Sequence, residues 1–304
     1  MRAFHPDLAS RARFLPRGVA RWWTLHWLQR VASPFMALAG SRATRVDLDG
    51  CGVFVDRTAA GTAPGPALLW IHGGGLMFGH PHQDGPFLAR LADRLGIVVA
   101  AAQYRFAPAH PFPTPLDDCE QAWRWLVSQP DVDPTRVIIG GASAGGHLAA
   151  ALCQRLRDSR SSGGTPAPMP AFQLLVYPML DDRSARGTGP DDRQLRIWDR
   201  TSNALGWDGY LRGHNRDAPP PCSVPGRTED LAGLPPAWIG VGTLDLFHDE
   251  DVAYARRLEE AGVDVALEIV EGAYHGFDAA DERAPVSRRF REAQIAALER
   301  HLAR

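Results

Sequence analysis

Six apolar runs, at residues 67–71, 97–101, 136–140, 172–177, 237–242 and 265–270, alternate along this chain with longer stretches of helical periodicity. Continuous hydrophobicity marks strands that are covered on both faces. Alternation of strand and helix then gathers such strands into a buried parallel sheet with helices on either side. The spacing predicts helices over 83–95, 118–128, 146–157, 249–261 and 286–302. Ahead of them, 45–49 and 51–57 alternate in polarity and meet at Asp49-Gly50, which suits a tight hairpin and an antiparallel edge. The expected class is α/β, with a mostly parallel twisted sheet whose ligands gather at the carboxyl ends of the strands.

Two stretches break the alternation. Residues 159–170, rich in Ser, Gly and Pro, read as a surface loop. Residues 180–224 carry Trp198, Trp207, Tyr210 and Leu211 among charges and are too long for a connector. Inserted after a core strand, they would form a lid together with an N-terminal helix. Within 18–38, Val19, Trp22, Trp23, Trp27 and Val31 fall near one helical face, with Arg17, Arg21 and Arg30 around it. These arginines and His26 argue against a membrane span. Of the two other readings, a helix lying on a bilayer and an aromatic helix packed over a protein pocket, the second is favoured. The 304 residues fit one domain, 1–304, with a cap from about 1–40 and 180–224.

Charge and cysteine usage narrow the function. Lys and Arg total 33 against 35 Asp and Glu, a net charge of -2 that lacks the footprint of a nucleic-acid binder. Cys51, Cys119, Cys153 and Cys222 are scattered, without zinc spacing, so neither a metal nor another cofactor is expected. Residues 1–7 lack the apolar core and cleavage site of a secretory signal, and a cytoplasmic location is expected. The expected partner is a small molecule. Weak association with a membrane surface and a homodimer stay open.

The chemistry is carried by Gly140-Gly141-Ala142-Ser143-Ala144-Gly145-Gly146, which follows the apolar Val137-Ile138-Ile139 and contains G-x-S-x-G. A serine at a sharp strand-to-helix turn adopts backbone angles that only small neighbours tolerate, and it is exposed there as a nucleophile. A serine hydroxyl needs a base and an orienting carboxylate, in the chain order Ser, acid, His. Asp245 follows the run 237–242 and His275 follows 265–270, so both fall on the rim that carries Ser143. Asp249, Glu250 and Asp251 read as the acidic first turn of a helix, and His248 is too close to Asp245 to bridge it to a serine on another strand. His147 belongs on the helix beneath Ser143. Developing negative charge needs donors, and His72-Gly73-Gly74-Gly75 after the first long run is the H-G-G-G pattern that exposes backbone N–H groups. Ala144, after the nucleophile, offers another.

With these motifs the chain resembles the hormone-sensitive-lipase-like branch of the α/β-hydrolases, the bacterial family IV esterases. The likeness includes Tyr104-Arg105-Phe106-Ala107-Pro108, His110-Pro111-Phe112-Pro113, Leu116-Asp117-Asp118 and Tyr274-His275-Gly276-Phe277, and runs from about Leu68 to Phe277. The resemblance implies an α/β-hydrolase fold with a helical cap. It implies Ser143 as nucleophile, His275 as general base then acid, Asp245 as orienting carboxylate, and Gly74, Gly75 and Ala144 N–H groups as the oxyanion hole. His72, Tyr104, Arg105, Asp117 and Asp118 would brace the site, and Asp118 also fits a helix N-cap. The family often has Asp or Glu where Ala142 stands, Asn where His147 stands and Pro where Leu246 stands. The activity implied is a serine carboxylesterase acting on short- to medium-chain esters. The alternatives are a non-catalytic small-molecule receptor on the same fold, or an amidase, lactonase or acyltransferase with the same residues.

Overall fold

The hairpin expected at Asp49-Gly50 joins β1 (Thr44–Asp47) to β2 (Gly52–Asp56), and the six apolar runs become β3 (Gly65–Ile71), β4 (Val98–Gln103), β5 (Val132–Ala142), β6 (Phe172–Val176), β7 (Ala237–Gly242) and β8 (Val265–Val270). This computed structural model describes residues 3–36, 42–58, 60–61, 63–161, 167–187 and 189–303. The strands form one sheet in the order β1-β2-β4-β3-β5-β6-β7-β8. β1, β2 and β4 pair antiparallel; every other pairing is parallel.

Successive side chains of the inner strands feed two cores. Leu69 and Ile71 of β3 join α5 (Thr114–Val127), α6 (Ala144–Ser161) and α8 (His248–Glu260) on one face. Leu68 and Trp70 join α4 (Gly85–Leu95) and α10 (Pro285–Leu302) on the other. The chain leaves β3 toward β4 on one side and returns to β5 on the other. The order of strands therefore reverses between β3 and β5, and this is where an open sheet leaves a crevice at its carboxyl end. The glycine loop after β3 and the serine turn after β5 both open into it.

Two helix starts differ from expectation. α5 begins at Thr114, because Pro113 and Pro115 fix the first turn, so Asp118 lies inside the helix and is not its N-cap. α6 begins at Ala144, directly after Ser143, and continues through Ser161 into what was expected to be loop; residues 162–166 lie outside the described residues.

The cap elements are short. α1 (Ala9–Ala12) precedes α2 (Trp22–Trp27), which runs through a π-helical turn at Leu28–Ala32 into α3 (Ser33–Met36). Between β6 and β7 lies α7 (Arg200–Tyr210), capped by Asp199, which accepts from Ser202 N at 2.9 Å. Asp199 also pairs with Arg21 at 2.5 Å, tying the N-terminal segment to α7. The favoured reading of the N-terminal helix is corrected here. The helix does lie against protein, through Leu25, Leu28 and Ser33, but Trp22, Trp23, Trp27 and Val31 point into solvent. Residues 1–2 and 37–40 of the expected cap, and 188 of its second part, lie outside the described residues. α9 (Phe277–Ala280) completes the set.

Candidate active site

Ser143 closes β5 with φ of +57°, the left-handed conformation that a turn between an in-register strand and an immediate helix demands. Its neighbours hold it there. Ser143 N donates to Val176 O at 2.9 Å, and its carbonyl accepts from His147 N at 3.0 Å and Met179 N at 3.1 Å. The strand and helix meet so closely that a Cβ on Gly145 would fall 1.9 Å from the Ile71 carbonyl oxygen. Only glycine fits. The N-terminus of α6 thus begins at the residue after the serine, with its dipole beneath the hydroxyl.

Asp245 and His275 arrive from the next two strand ends. Asp245 Oδ1 accepts from Phe247 N at 3.0 Å, which leaves Oδ2 to accept from His275 Nδ1 at 2.8 Å. With Nδ1 carrying the proton, Nε2 is free to accept, and it stands 3.0 Å from Ser143 Oγ. All three residues are shielded: Ser143 is 6% exposed, His275 5% and Asp245 0%. The imidazole is packed edge-on by Tyr177 at 4.9 Å and Phe247 at 5.1 Å, and Tyr177 is held in turn by Asp278 at 2.8 Å. Excluding water in this way strengthens the hydrogen bonds within the site.

Across the crevice, Gly74 (φ +123°) and Gly75 (φ +60°) turn the loop after β3. The N–H groups of Gly74, Gly75 and Ala144 donate to no protein acceptor among the described residues. These N–H groups therefore remain available as hydrogen-bond donors. A Cβ on Gly75 would strike the Trp198 ring at 2.0 Å, so the indole lies directly over this loop, and its ring is 6.5 Å from that of His275. His72 braces the loop from below: its ring stacks on Tyr104 at 4.5 Å, and Tyr104 Oη donates to the His72 carbonyl at 3.0 Å. Burial pushes the His72 pKa down to about 3, so it stays neutral.

The N-terminal helix buttresses the same loop. Gln29 Nε2 donates to the carbonyls of Met77 (2.9 Å) and Ala107 (3.2 Å), and Ser33 Oγ accepts from Gly79 N at 2.9 Å. Neither residue announces this role in the sequence, because each acts on backbone atoms far along the chain. A cavity of about 820 Å³ lies between this helix and the hairpin, lined by Ser33, Arg45, Gly79 and Tyr104 among others. Its walls include none of Ser143, Asp245 and His275.

Other expectations resolve as follows. Arg105 and Asp118 pair with each other: Arg105 N and Nη2 donate to the buried Asp118 carboxylate at 2.8 and 2.6 Å. Asp117 instead pairs with Arg155 on the surface. His147 lies on α6 as expected, buried between Trp207 and Tyr210, with its pKa pushed down to about 3 by burial. The run Asp249-Glu250-Asp251 does form the acidic first turn of α8, with Asp249 exposed and Asp251 buried. Glu250 is half-buried and its Oε1 accepts from Leu180 N (2.6 Å) and Asp181 N (3.2 Å), anchoring the start of the insertion after β6. Asp251 is fully buried with neither oxygen partnered among the described residues.

Burial, with Glu250 and Asp245 nearby, holds the Asp251 carboxyl well above its usual range. The folded state therefore keeps a proton that the unfolded chain loses above about pH 4, and stability falls as pH rises from there toward the folded-state value. Asp251→Ala is expected to stabilise the fold by ~1–3 kcal/mol at pH 8 and by less at pH 5, read from urea midpoints. An equal gain at both pH values would contradict this account of Asp251.

The profile of the α/β-hydrolase fold family matches residues 68–279 of this chain. Esterase LipI of Mycobacterium tuberculosis is 33% identical over 234 residues, 75% of this chain and 70% of that protein. An ethyl acetate hydrolase of Pseudomonas putida is 33% identical over 216 residues, 70% of this chain and 66% of that protein. The chain thus spans about two thirds of the length of these curated relatives. Among solved structures, a bacterial heroin esterase superposes with a TM-score of 0.84 at 32% identity, covering 99% of this chain and 98% of that one.

Proposed function

Because this chain belongs to the α/β-hydrolase fold family, among its hormone-sensitive-lipase-like carboxylesterases, we propose that it hydrolyses short- to medium-chain carboxylic esters through an acyl-enzyme formed on Ser143. The observation that carries this reading is the relay from Ser143 Oγ to His275 Nε2 at 3.0 Å and from His275 Nδ1 to Asp245 at 2.8 Å. His275 takes the hydroxyl proton as Oγ attacks the ester carbonyl. The oxyanion that forms is met by the Gly74, Gly75 and Ala144 N–H groups, each worth ~2.7–4 kcal/mol of barrier by comparison with other oxyanion holes. The alcohol leaves with the proton from His275, and a water activated by the same nitrogen releases the acid. A non-catalytic receptor would have no use for a base so placed.

Residues 1–40 and 180–224 act as the cap over this site. α7 supports that role, since a Cβ on its Gly206 would fall 2.8 Å from the Gly75 carbonyl oxygen. The cap also sets the substrate. Trp198 lies over Gly75 and beside His275, where an acyl chain extending from the carbonyl would run. Trp198→Ala is expected to raise kcat/KM for an octanoate over an acetate ester by about 10-fold or more, since one methylene in an apolar pocket is worth ~10–200-fold. A series of p-nitrophenyl esters from acetate to decanoate checks this, and an unchanged chain-length profile would remove Trp198 from the pocket. The same series, run beside anilide and lactone analogues, tests the reaction class. Faster turnover of the anilides than of the matched esters would overturn the esterase reading.

A further inference from the structure

The aromatic residues of the N-terminal segment are the largest unexplained feature of the surface. Phe14, Trp22, Trp23, Trp27 and Phe35 are 57–87% exposed, and they supply most of the large hydrophobic side chains that the described residues present to solvent. A soluble surface does not leave several tryptophans uncovered without a use. Trp22 and Trp23 pack edge to face at 5.7 Å, which makes a firm apolar ridge rather than scattered rings. The ridge is outside the catalytic machinery: the opposite side of the same helix, through Gln29 and Ser33, faces the glycine loop.

The charges within the segment itself have one sign. Between Asp7 and Asp47 the chain has seven arginines and no acidic residue. Arg21 is consumed by Asp199, but Arg13, Arg17 and Arg30 are exposed and form no ion pair among the described residues. Asp191, which feels the charge of Arg17, is already paired with Arg193. Trp23, Trp27 and Arg30 follow one another along a single helical face.

We propose that this face docks on an anionic lipid bilayer, with the tryptophans at the headgroup boundary and Arg13, Arg17 and Arg30 against acidic headgroups. Tryptophan suits such a boundary, where one end of the side chain is apolar and the other wet. No helix among the described residues is long and apolar enough to cross a membrane, so the segment lies on the surface. A second copy of the chain is the poorer occupant. A two-fold interface sets a patch against itself, and here it would bring two sets of unpaired arginines together while the segment supplies no carboxylate of its own. The proposal does not depend on the esterase reading.

The test is sedimentation of the full chain with sucrose-loaded vesicles of phosphatidylcholine, with or without phosphatidylglycerol. Partitioning is expected to be roughly 100-fold stronger on the anionic vesicles, about fivefold for each of three arginines, and to weaken with salt. Arg13→Gln, Arg17→Gln and Arg30→Gln together should erase the preference for phosphatidylglycerol. Trp22→Ser with Trp27→Ser should lower partitioning on both lipids by about tenfold or more. An unchanged far-UV circular dichroism spectrum and melting temperature in both variants should show that they fold. The proposal is overturned if the wild-type chain binds anionic vesicles no better than neutral ones. It is equally overturned if neither set of substitutions lowers binding, or if sedimentation velocity shows a dimer that the Trp22→Ser and Trp27→Ser pair dissolves.

Discussion

Ser143→Ala is expected to lower kcat for p-nitrophenyl acetate by roughly 10⁶-fold, the loss seen when a serine nucleophile is removed from a comparable relay. The loss is large because two functions go with one oxygen. In the proposed mechanism Oγ forms the acyl bond and its proton passes to His275 Nε2, 3.0 Å away. The variant should keep its fold, since the bonds that fix residue 143 run through its backbone N–H and carbonyl. An unchanged melting temperature separates lost chemistry from lost structure. If Gly74, Gly75 and Ala144 form the proposed oxyanion hole, the residual rate should stay above that in water, because their N–H groups are untouched by the substitution. A further His275→Ala change in the same chain should cost little more, because a base without a nucleophile has nothing to activate. Independent, multiplicative losses would mean that the two residues do not act as a unit.

Asp245→Asn has the second largest expected effect, roughly 10⁴-fold in kcat. The side chain keeps its shape but can now present an N–H to His275 Nδ1. The imidazole then carries its proton on Nε2 and cannot accept one from Ser143. KM should change little, since Asp245 is fully buried and lies behind His275 rather than in the crevice. A drop confined to KM would argue that Asp245 shapes the binding site rather than the imidazole. Glu250 and Asp251 also approach this region, but neither bonds to His275, so neither is expected to rescue the variant.

The sheet and the relay were legible in the sequence for a common reason. A strand covered on both faces is apolar throughout, as the inner strands of the sheet are, whereas β8 is an edge strand with Leu267 and Ile269 exposed that keeps only an apolar composition. The residues that end parallel strands lie along one rim. Ser143, Asp245 and His275 each follow an apolar run within a few residues, so their convergence follows from the topology. Helix starts were less legible at α5, because prolines at 113 and 115 outweigh a good capping residue at 118. The outward face of Trp22, Trp23 and Trp27 was misread, because helical periodicity identifies an apolar stripe without saying what covers it. Gln29, Ser33, Glu250 and Trp198 escaped for a different reason. Each works through backbone atoms or a ring face supplied by a distant part of the chain, and no local pattern records that partner.

The nucleophile can be trapped directly, as a phosphonylated serine that mimics the tetrahedral intermediate of ester hydrolysis. Incubating the chain with a p-nitrophenyl alkylphosphonate and mapping the modified peptide by mass spectrometry should give one adduct per chain, on the peptide that contains Ser143, with loss of ester turnover in proportion to labelling. The Ser143→Ala chain should take up none. Labelling at a different residue, or full turnover by a chain in which Ser143 is completely modified, would contradict the assignment of Ser143 as the nucleophile.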